Sequence, residues 1–249
     1  MNHIELFAGC GGLSLGLESA GFERMLANEL SPMAAETFAF NHLGVDLTTS
    51  TNPEGVFWIS SQFDRSELQK RLRENPIEAS GLDKGKFTDL SIEVISKKSL
   101  KGSLLVGNII DLNTLLERPQ SKLLNLIRSG MGGRGVDLVS GGPPCQSFSL
   151  AGLRQHNNHR NSLPLEFAKF VGFIKPKIAL LENVSGILRA FNVNKKKFYA
   201  WREVASVFSQ IGYVPICMHI NAKRLGVPQN RPRYIMLAVR EDVCKQFLK

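Results

Sequence analysis

The clearest chemical signal in the sequence is a cysteine in a stiff loop. Cys145 directly follows Gly141-Gly142-Pro143-Pro144. Prolines fix φ and remove N–H donors, so this loop should hold one side chain in one place. Cysteine suits nucleophilic catalysis because a few per cent of it is thiolate at neutral pH. The commoner role of a free cysteine is that of a small buried hydrophobe. We expect that role for the remaining three: Cys10, Cys217 and Cys244.

A carboxyl group and two guanidinium groups come later in the chain. Glu182 follows the apolar run Ile178–Leu181, where it could share a proton with a heterocycle nitrogen. The alternative is a helix cap by Asn183, with Glu182 incidental. Arg231 and Arg233 precede the last predicted strand and, by strand alternation, face the same way. Two such side chains can bind a phosphate or a carbonyl oxygen, although a solvated basic edge strand has the same pattern.

A glycine turn near the start indicates a nucleotide-like ligand. Gly9, Gly11 and Gly12 follow the apolar run Ile4–Phe7 and allow the backbone to approach a ligand closely. Glu29 lies 20 residues after Gly9, at the end of the next predicted strand, where a carboxylate can accept both ribose hydroxyls. NAD, FAD and S-adenosylmethionine all fit this pattern. The spacing departs from GxGxxG, which disfavours a dinucleotide, and a solvated strand-end carboxylate is the other interpretation of Glu29.

The elements that position these residues alternate between strand and helix. Helices are predicted at Leu13–Ala20, Met33–Phe40, Leu115–Ile127, Leu163–Ile174 and Trp201–Ile211. Strands are predicted at Ile4–Phe7, Arg24–Glu29, Leu104–Val106, Val136–Ser140, Ile178–Leu181, Val214–Asn221 and Tyr234–Val239. This order indicates an α/β fold with a doubly wound, mostly parallel sheet. No helix separates the last two strands, so the final strand should be antiparallel. Ligands in such sheets bind outside the carboxyl ends of the strands, where the residues above fall.

Residues 46–103 are more polar than the rest and contain runs of charge. We interpret this segment as an insertion on a single core domain that spans residues 1–249. A solvated excursion is the simpler expectation for it, and a contact surface is the alternative.

Composition narrows the class of protein. The four cysteines form no CxxC pair, which argues against a zinc site and for a reducing cytoplasm. No apolar run approaches the roughly 18 residues of a membrane span. The net charge of +9 is concentrated after residue 149, where 17 basic residues face 5 acidic ones. That asymmetry indicates that a polyanion binds to one face of the protein. The alternative is a generally basic surface.

The ordered motifs resemble those of the C5-cytosine DNA methyltransferases. Phe7-Ala8-Gly9-Cys10-Gly11-Gly12 is similar to the family's cofactor-binding turn, and residues 141–149 (GGPPCQSFS) are similar to its catalytic loop. Glu182-Asn183-Val184 and residues 229–233 (QNRPR) match the next two catalytic motifs in order. Arg160 and Leu163 fall where the family has Arg-x-x-Leu. The resemblance implies a Rossmann-like S-adenosylmethionine-dependent methyltransferase fold, with no metal.

The resemblance also implies the reaction. A cytosine flipped out of double-stranded DNA would be attacked at C6 by Cys145. Glu182 would hold N3 and the exocyclic amine, and Arg233 and Arg231 would contact the carbonyl or a phosphate. C5 would then accept the methyl group of S-adenosylmethionine. Such enzymes in microbes usually serve restriction-modification systems, which is the role we expect.

The same resemblance assigns residues to the cofactor. Phe7 would lie against adenosine, with Gly9, Gly11 and Gly12 near the methionine moiety, Glu29 on the ribose and Leu30 facing adenine. The cofactor set further includes Ile109, Pro144 and Leu163. The family's Gly-Asp-Ile is Gly107-Asn108-Ile109 here. Asn108 could still accept a hydrogen bond from the adenine amine, and Asp111 is a less favoured substitute.

One departure from the family concerns target recognition. The family's target-recognition region follows the strand after Arg233, whereas this sequence ends 16 residues later at Lys249. We therefore expect that region to be absent and weigh three explanations: an enzyme split with a second polypeptide, a fragment, or an inactive copy. Two rival functions also stay open, an RNA (tRNA) cytosine methyltransferase and a non-catalytic nucleic-acid-binding subunit.

Overall fold

A computed structural model describes residues 1–78, 80–90, 100–144, 163–193 and 196–247. The chain divides into two compact units, Met1–Asp137 and Leu138–Lys249. Within the described residues, no helix has both the length and the apolar character needed to cross a membrane.

The first unit is built on four parallel strands. Their order across the unit is β3-β4-β2-β1. The strands are β1 (Asn2–Leu6), β2 (Glu23–Glu29), β3 (Val56–Trp58) and β4 (Ser103–Val106). The helices are α1 (Gly12–Ser19), α2 (Pro32–Leu43), α3 (Leu68–Arg71), α4 (Ile109–Glu117) and α5 (Lys122–Arg128), with a 3-10 turn at Arg65–Glu67. All four residues of β4 are buried, as expected of a parallel strand covered on both faces.

The second unit mixes parallel and antiparallel pairing. Strand β5 runs parallel to β6, whereas β10 runs antiparallel to both β6 and β9. The strands are β5 (Leu138–Gly141), β6 (Ile178–Val184), β7 (Phe191–Val193), β8 (Lys196–Phe198), β9 (Tyr213–Asn221) and β10 (Pro232–Arg240). The helices are α6 (Leu163–Ile174), α7 (Ala200–Gln210) and α8 (Glu241–Phe247), with 3-10 turns at Ser185–Leu188 and Ala222–Leu225. The α/β class and the antiparallel final strand are confirmed.

Two expectations about the first unit are wrong. The helix predicted over Leu115–Ile127 is two helices, because Pro119 cannot continue α4 and forces Arg118 into an extended conformation (ψ 140°). Ser121 then caps α5 by accepting the Leu124 N–H at 3.2 Å. The segment 46–103 is not wholly a solvated excursion, because its residues 56–58 form β3, are buried and pair with β4.

The expected burial of three cysteines is also wrong. Cys10 and Cys217 are exposed, and Cys244 is half-buried. Cys10 lies in the turn after β1. Cys217 lies in β9, where its Sγ is 3.1 Å from the Tyr234 hydroxyl. A buried packing role therefore does not account for either exposed thiol.

A buried carboxyl group in β1 makes the first unit sensitive to pH. Glu5 is 2% exposed and accepts a hydrogen bond from the Ser14 hydroxyl of α1. Burial raises the pKa of Glu5 to about 7, although Ser14 and the charge of Arg24 oppose the rise. The folded chain therefore binds a proton that the unfolded chain, with a carboxyl pKa near 4.5, releases. Stability from this group is present below pH 4.5 and is lost as the pH rises toward 7.

We predict that Glu5→Gln removes this pH dependence. The amide stays neutral and still accepts from Ser14, so the variant should gain about 3 kcal/mol over the wild type between pH 4.5 and 7.5. The measurement is denaturant unfolding of both proteins across this range. The difference between them is the quantity to follow, because burial and Arg24 lower the pKa of His3 to about 4 and give the opposite slope in both. A pH-independent difference would contradict the prediction.

Candidate cofactor and catalytic sites

The turn after β1 has a left-handed backbone at three residues, two of which are glycines. Phe7, Gly9 and Gly11 all have positive φ, at 55°, 56° and 89°. A Cβ on Gly11 would overlap the ring of His42 and lie 3.0 Å from Phe38. Gly9 has open space where its Cβ would be, so a ligand can approach the backbone there.

Glu29 joins the end of β2 to this turn. Its Oε2 accepts the Gly9 N–H at 2.7 Å, and its Oε1 accepts the Ser31 N–H at 2.8 Å. Burial raises the pKa of Glu29, and these backbone N–H groups oppose the rise. The Leu30 N–H acts on the carboxylate as well, and since a carboxylate has about four acceptor sites in all, some capacity remains. The geometry thus gives Glu29 a structural role that the sequence did not suggest, and leaves acceptor capacity for the predicted ribose contact.

A small cavity, open to solvent, lies at the carboxyl ends of three parallel strands. Leu30 after β2 and Asn108 after β4 both line it, as their predicted adenine contacts require. Residues 58–61, at and beyond the end of β3, and residues 74, 76 and 80 also line it. Sequence reasoning missed this second set because it treated 46–103 as an excursion. Ile109 is buried at the start of α4 and does not line the cavity.

The side chains of Asn108 and Asp111 are both engaged by their own unit. Asn108 Oδ1 accepts the Ile110 N–H at 3.0 Å, which caps α4, and its Nδ2 donates to Ser80 Oγ at 2.8 Å. Asp111 is buried and accepts the Gly81 N–H at 2.9 Å. Asp111 is therefore committed to the loop at residue 81, which disfavours it as a substitute for Asn108.

An ion pair between Glu182 and Arg233 marks the candidate catalytic site of the second unit. Glu182 lies inside β6, which extends three residues beyond its predicted end, and Arg233 lies in β10. Arg233 Nε is 2.6 Å from Glu182 Oε1, with the two side chains 18% and 33% exposed. The register pairs Arg233 with Val184 and Ile235 with Glu182, so the two charged residues are diagonal neighbours across antiparallel strands.

The loop after β5 packs against this candidate catalytic site. A Cβ on Gly142 would lie 3.0 Å from Glu182 Oε2, so a larger residue would push the carboxylate aside. Asn183, which is 2% exposed, donates from Nδ2 to the Pro143 carbonyl at 3.2 Å. The expected alternative, a helix cap by Asn183, does not describe this contact. Glu182 and Asn183 thus meet the two residues on which the cysteine loop begins.

The structure describes three of the five remaining predicted site residues. Cys145 and Arg160 lie outside the described residues. Pro144 and Arg231 are exposed, and Leu163 is the half-buried first residue of α6. Arg231 precedes β10, so strand alternation does not fix its direction.

A family model of C-5 cytosine-specific DNA methylases matches residues 1–54 and 124–248 of the chain. The glycine turn, Glu29, Glu182 and Arg233 fall inside the matched ranges, and Asn108 falls outside them. The chain is 31% identical over 242 residues to the Type II methyltransferase M.DdeI of Desulfomicrobium norvegicum, covering 97% of this chain and 41% of that protein. It is 29% identical to the Type II methyltransferase M1.HphI of Haemophilus parahaemolyticus, covering 97% and 46%. The chain spans less than half the length of these relatives.

Solved structures share the fold. A prophage-encoded E. coli protein, solved as a candidate DNA modification methyltransferase, superposes with a TM-score of 0.58 at 22% identity, covering 98% of this chain and 47% of that one. The Dnmt2 methyltransferase of S. pombe superposes with a TM-score of 0.51 at 16% identity, covering 97% and 50%. The expected methyltransferase fold is confirmed.

Proposed function

Because the chain belongs to the C-5 cytosine-specific DNA methylase family, we propose that it methylates C5 of cytosine in double-stranded DNA. The observation that carries the proposal is the ion pair between Glu182 and Arg233. Its carboxylate packs against Gly142, just before the residues that lead to Cys145. We further propose that it acts in the cytoplasm as the modification enzyme of a restriction-modification system. A target-recognition region, on a second polypeptide or elsewhere in a longer protein, belongs to this proposal because the relatives are more than twice as long.

The first unit would hold S-adenosylmethionine, which supplies the methyl group. The open space over Gly9 allows a ligand to lie close to the backbone, and the cavity lined by Leu30 and Asn108 is where the adenine would lie. Glu29 has acceptor sites left for ribose hydroxyls. Phe7 and Gly12 flank this turn, and Pro144 and Leu163 are proposed as cofactor residues from the resemblance to the family alone.

The second unit would hold the flipped cytosine. The Cys145 thiolate forms a bond to C6, and the ring electrons move toward C5. Glu182, once it has taken up a proton, holds N3 and the exocyclic amine and shares that proton with N3, which makes the ring a better electron acceptor. Arg233 keeps the Glu182 carboxylate oriented, and Arg231 is available for a DNA phosphate. C5 takes the methyl group and S-adenosylhomocysteine is released. A water molecule then removes the C5 proton, the C6–sulfur bond breaks so that the thiolate returns, and N3 gives its proton back to Glu182.

The low reactivity of cytosine explains why the reaction needs a nucleophile from the protein. C5 of a neutral cytosine is a poor nucleophile, and sulfur addition at C6 gives it enamine character. The excess of 17 basic over 5 acidic residues after residue 149 supports contact with DNA phosphates.

The proposal is tested by transfer of labelled methyl from S-adenosylmethionine. The purified chain is offered duplex DNA and total transfer RNA in separate reactions, with Cys145→Ser as the control. We expect label as 5-methylcytosine in DNA, and none with the variant. Label in RNA alone would assign the RNA function instead. No label in either, with or without an added target-recognition polypeptide, would contradict the proposal.

Asn183 offers a prediction on loop positioning. Asn183→Ala removes the hydrogen bond to the Pro143 carbonyl, so the loop that carries Cys145 loses a fixed point. We expect kcat to fall about tenfold, because misplacement of a nucleophile by a fraction of an ångström is costly. Steady-state kinetics on DNA measure the effect, with the exposed Asn41→Ala of α2 as the matched control. A less than twofold change would show that the loop is held without Asn183.

A further inference from the structure

We propose that Ser80 locks the side-chain amide of Asn108 in one orientation, and that the locked amide selects adenine over an oxo-purine at the cavity of the first unit. This inference rests on the proposed binding of S-adenosylmethionine there. It concerns how the purine is chosen, which the family match does not assign, because residues 55–123 lie outside it.

The hydrogen bonds of Ser80 and Ile110 determine which way the Asn108 amide faces. The Ser80 hydroxyl has a single hydrogen, which it donates to the Pro76 carbonyl at 2.9 Å. It must therefore accept from Asn108, 2.8 Å away, and the Asn108 atom that faces it must be the NH₂ group. At the other end, the Ile110 N–H can only donate, so the atom 3.0 Å from it must be Oδ1. Two independent contacts thus fix the same orientation.

Ser80 is itself held in place by its neighbour. The Gly81 N–H donates to Asp111 Oδ2 at 2.9 Å, and the Gly81 carbonyl accepts from Ser60 Oγ at 2.6 Å. Asp111 belongs to α4, which Asn108 caps, so the loop is tied to the same helix end at two successive residues. Movement of Ser80 away from Asn108 would break these contacts together.

The locked amide leaves a defined pair of groups for a ligand. An asparagine amide has two N–H groups and two lone pairs, and one of each is already used. One donor and one acceptor remain on a residue that lines the cavity. Asparagine can read adenine through this pairing, with its oxygen accepting from the amine and its N–H donating to a ring nitrogen.

An oxo-purine reverses this pattern. Hypoxanthine carries an oxygen acceptor in place of the amine and a ring N–H at the neighbouring position. To match it the amide would have to rotate by 180°, which would set its NH₂ group against the Ile110 N–H. The Ser80 hydroxyl could then bond to the amide only by giving up the Pro76 carbonyl. Sites that hydrogen-bond a ligand discriminate strongly against an analogue that leaves their polar groups unpaired.

Isothermal titration calorimetry tests the inference on the full chain. The ligands are S-adenosylhomocysteine and its deaminated analogue, S-inosylhomocysteine. We expect the wild type to bind the adenine ligand at least about tenfold more tightly. Ser80→Ala should reduce this ratio about fivefold by removing one of the two contacts that fix the amide. Ser80→Thr, which keeps the hydroxyl, should restore the ratio, and Ser19→Ala on the exposed face of α1 should leave it at the wild-type value.

The outcomes separate this inference from the proposed function. Adenine-ligand binding with the same ratio in the wild type and Ser80→Ala would overturn the Ser80 lock and leave the cofactor site standing. Failure of the wild type to bind either ligand would overturn the cofactor site, and the lock with it. Because the readout is a ratio of affinities, a general loosening of the loop that weakens both ligands equally would also count against the lock.

Discussion

Glu182→Gln is expected to lower kcat for DNA methylation at least about 100-fold, the usual size of a general acid–base contribution. Glutamine keeps the shape of the side chain but cannot supply a proton at N3 of cytosine. It also removes the ion pair with Arg233. That pair is partly exposed, so its loss should cost no more than about 1 kcal/mol of stability. The measurement is kcat by labelled methyl transfer, together with the melting temperature.

Two controls make the Glu182 result specific. Glu203→Gln on the exposed surface of α7 makes the same chemical change and should leave kcat unaltered. S-adenosylhomocysteine affinity should also be unchanged in Glu182→Gln, because Glu182 does not line the cavity of the first unit. If Glu182→Gln kept more than half of the wild-type kcat, the assigned role of the carboxyl group would be wrong.

Gly11→Ala should cost about 3 kcal/mol of folding free energy and most of the cofactor affinity. An L-residue at φ +89° pays roughly 1–2 kcal/mol for its backbone. The added Cβ would also overlap His42, whose ring stacks on Phe38 at 4.5 Å between centroids. Both rings are buried, so relief requires a shift of packed side chains. The turn that Glu29 holds through Gly9 would move with them.

Gly16→Ala is the matched control for Gly11. Gly16 lies exposed within α1, and no neighbouring atom comes within 4 Å of the position that an added Cβ would take. Alanine there should raise stability by about 0.5–1 kcal/mol, because it is the better helix former. Thermal melts and calorimetry with S-adenosylhomocysteine compare the two variants. Equal melting temperatures for Gly11→Ala and the wild type would show that the turn tolerates a side chain.

The sequence predicted the local parts of the fold well. The helix Leu163–Ile174 ends at the predicted residue, and α2 begins at Pro32, as a proline at a helix start suggests. These elements depend on residues close together in the chain. The break at Pro119 is a local signal too, since proline is a strong helix terminator, but the apolar periodicity of Leu115–Ile127 continues across it.

Non-local contacts explain what the sequence did not predict. The pairing of Glu182 with Arg233 depends on β10 lying antiparallel to β6, across 51 residues of sequence. The cavity wall at residues 58–61 depends on the pairing of β3 with β4. The three buried residues of β3 are too few to give a strand pattern among their polar neighbours. The partner of Asn108 lies 28 residues away at Ser80, in a segment without a periodic pattern. Spacing along the chain carries no signal for any of these three.

The most direct test of the central claim is to trap the bond between Cys145 and C6 of cytosine. A duplex containing 5-fluorocytosine, incubated with the chain and S-adenosylmethionine, should stop after methylation, because fluorine cannot leave C5 as a proton does. Intact-mass analysis under denaturing conditions should show the chain joined to one DNA strand plus one methyl group, and Cys145→Ser should show no such species. A preparation that methylates an ordinary duplex yet forms no adduct with the fluorinated one would contradict the account.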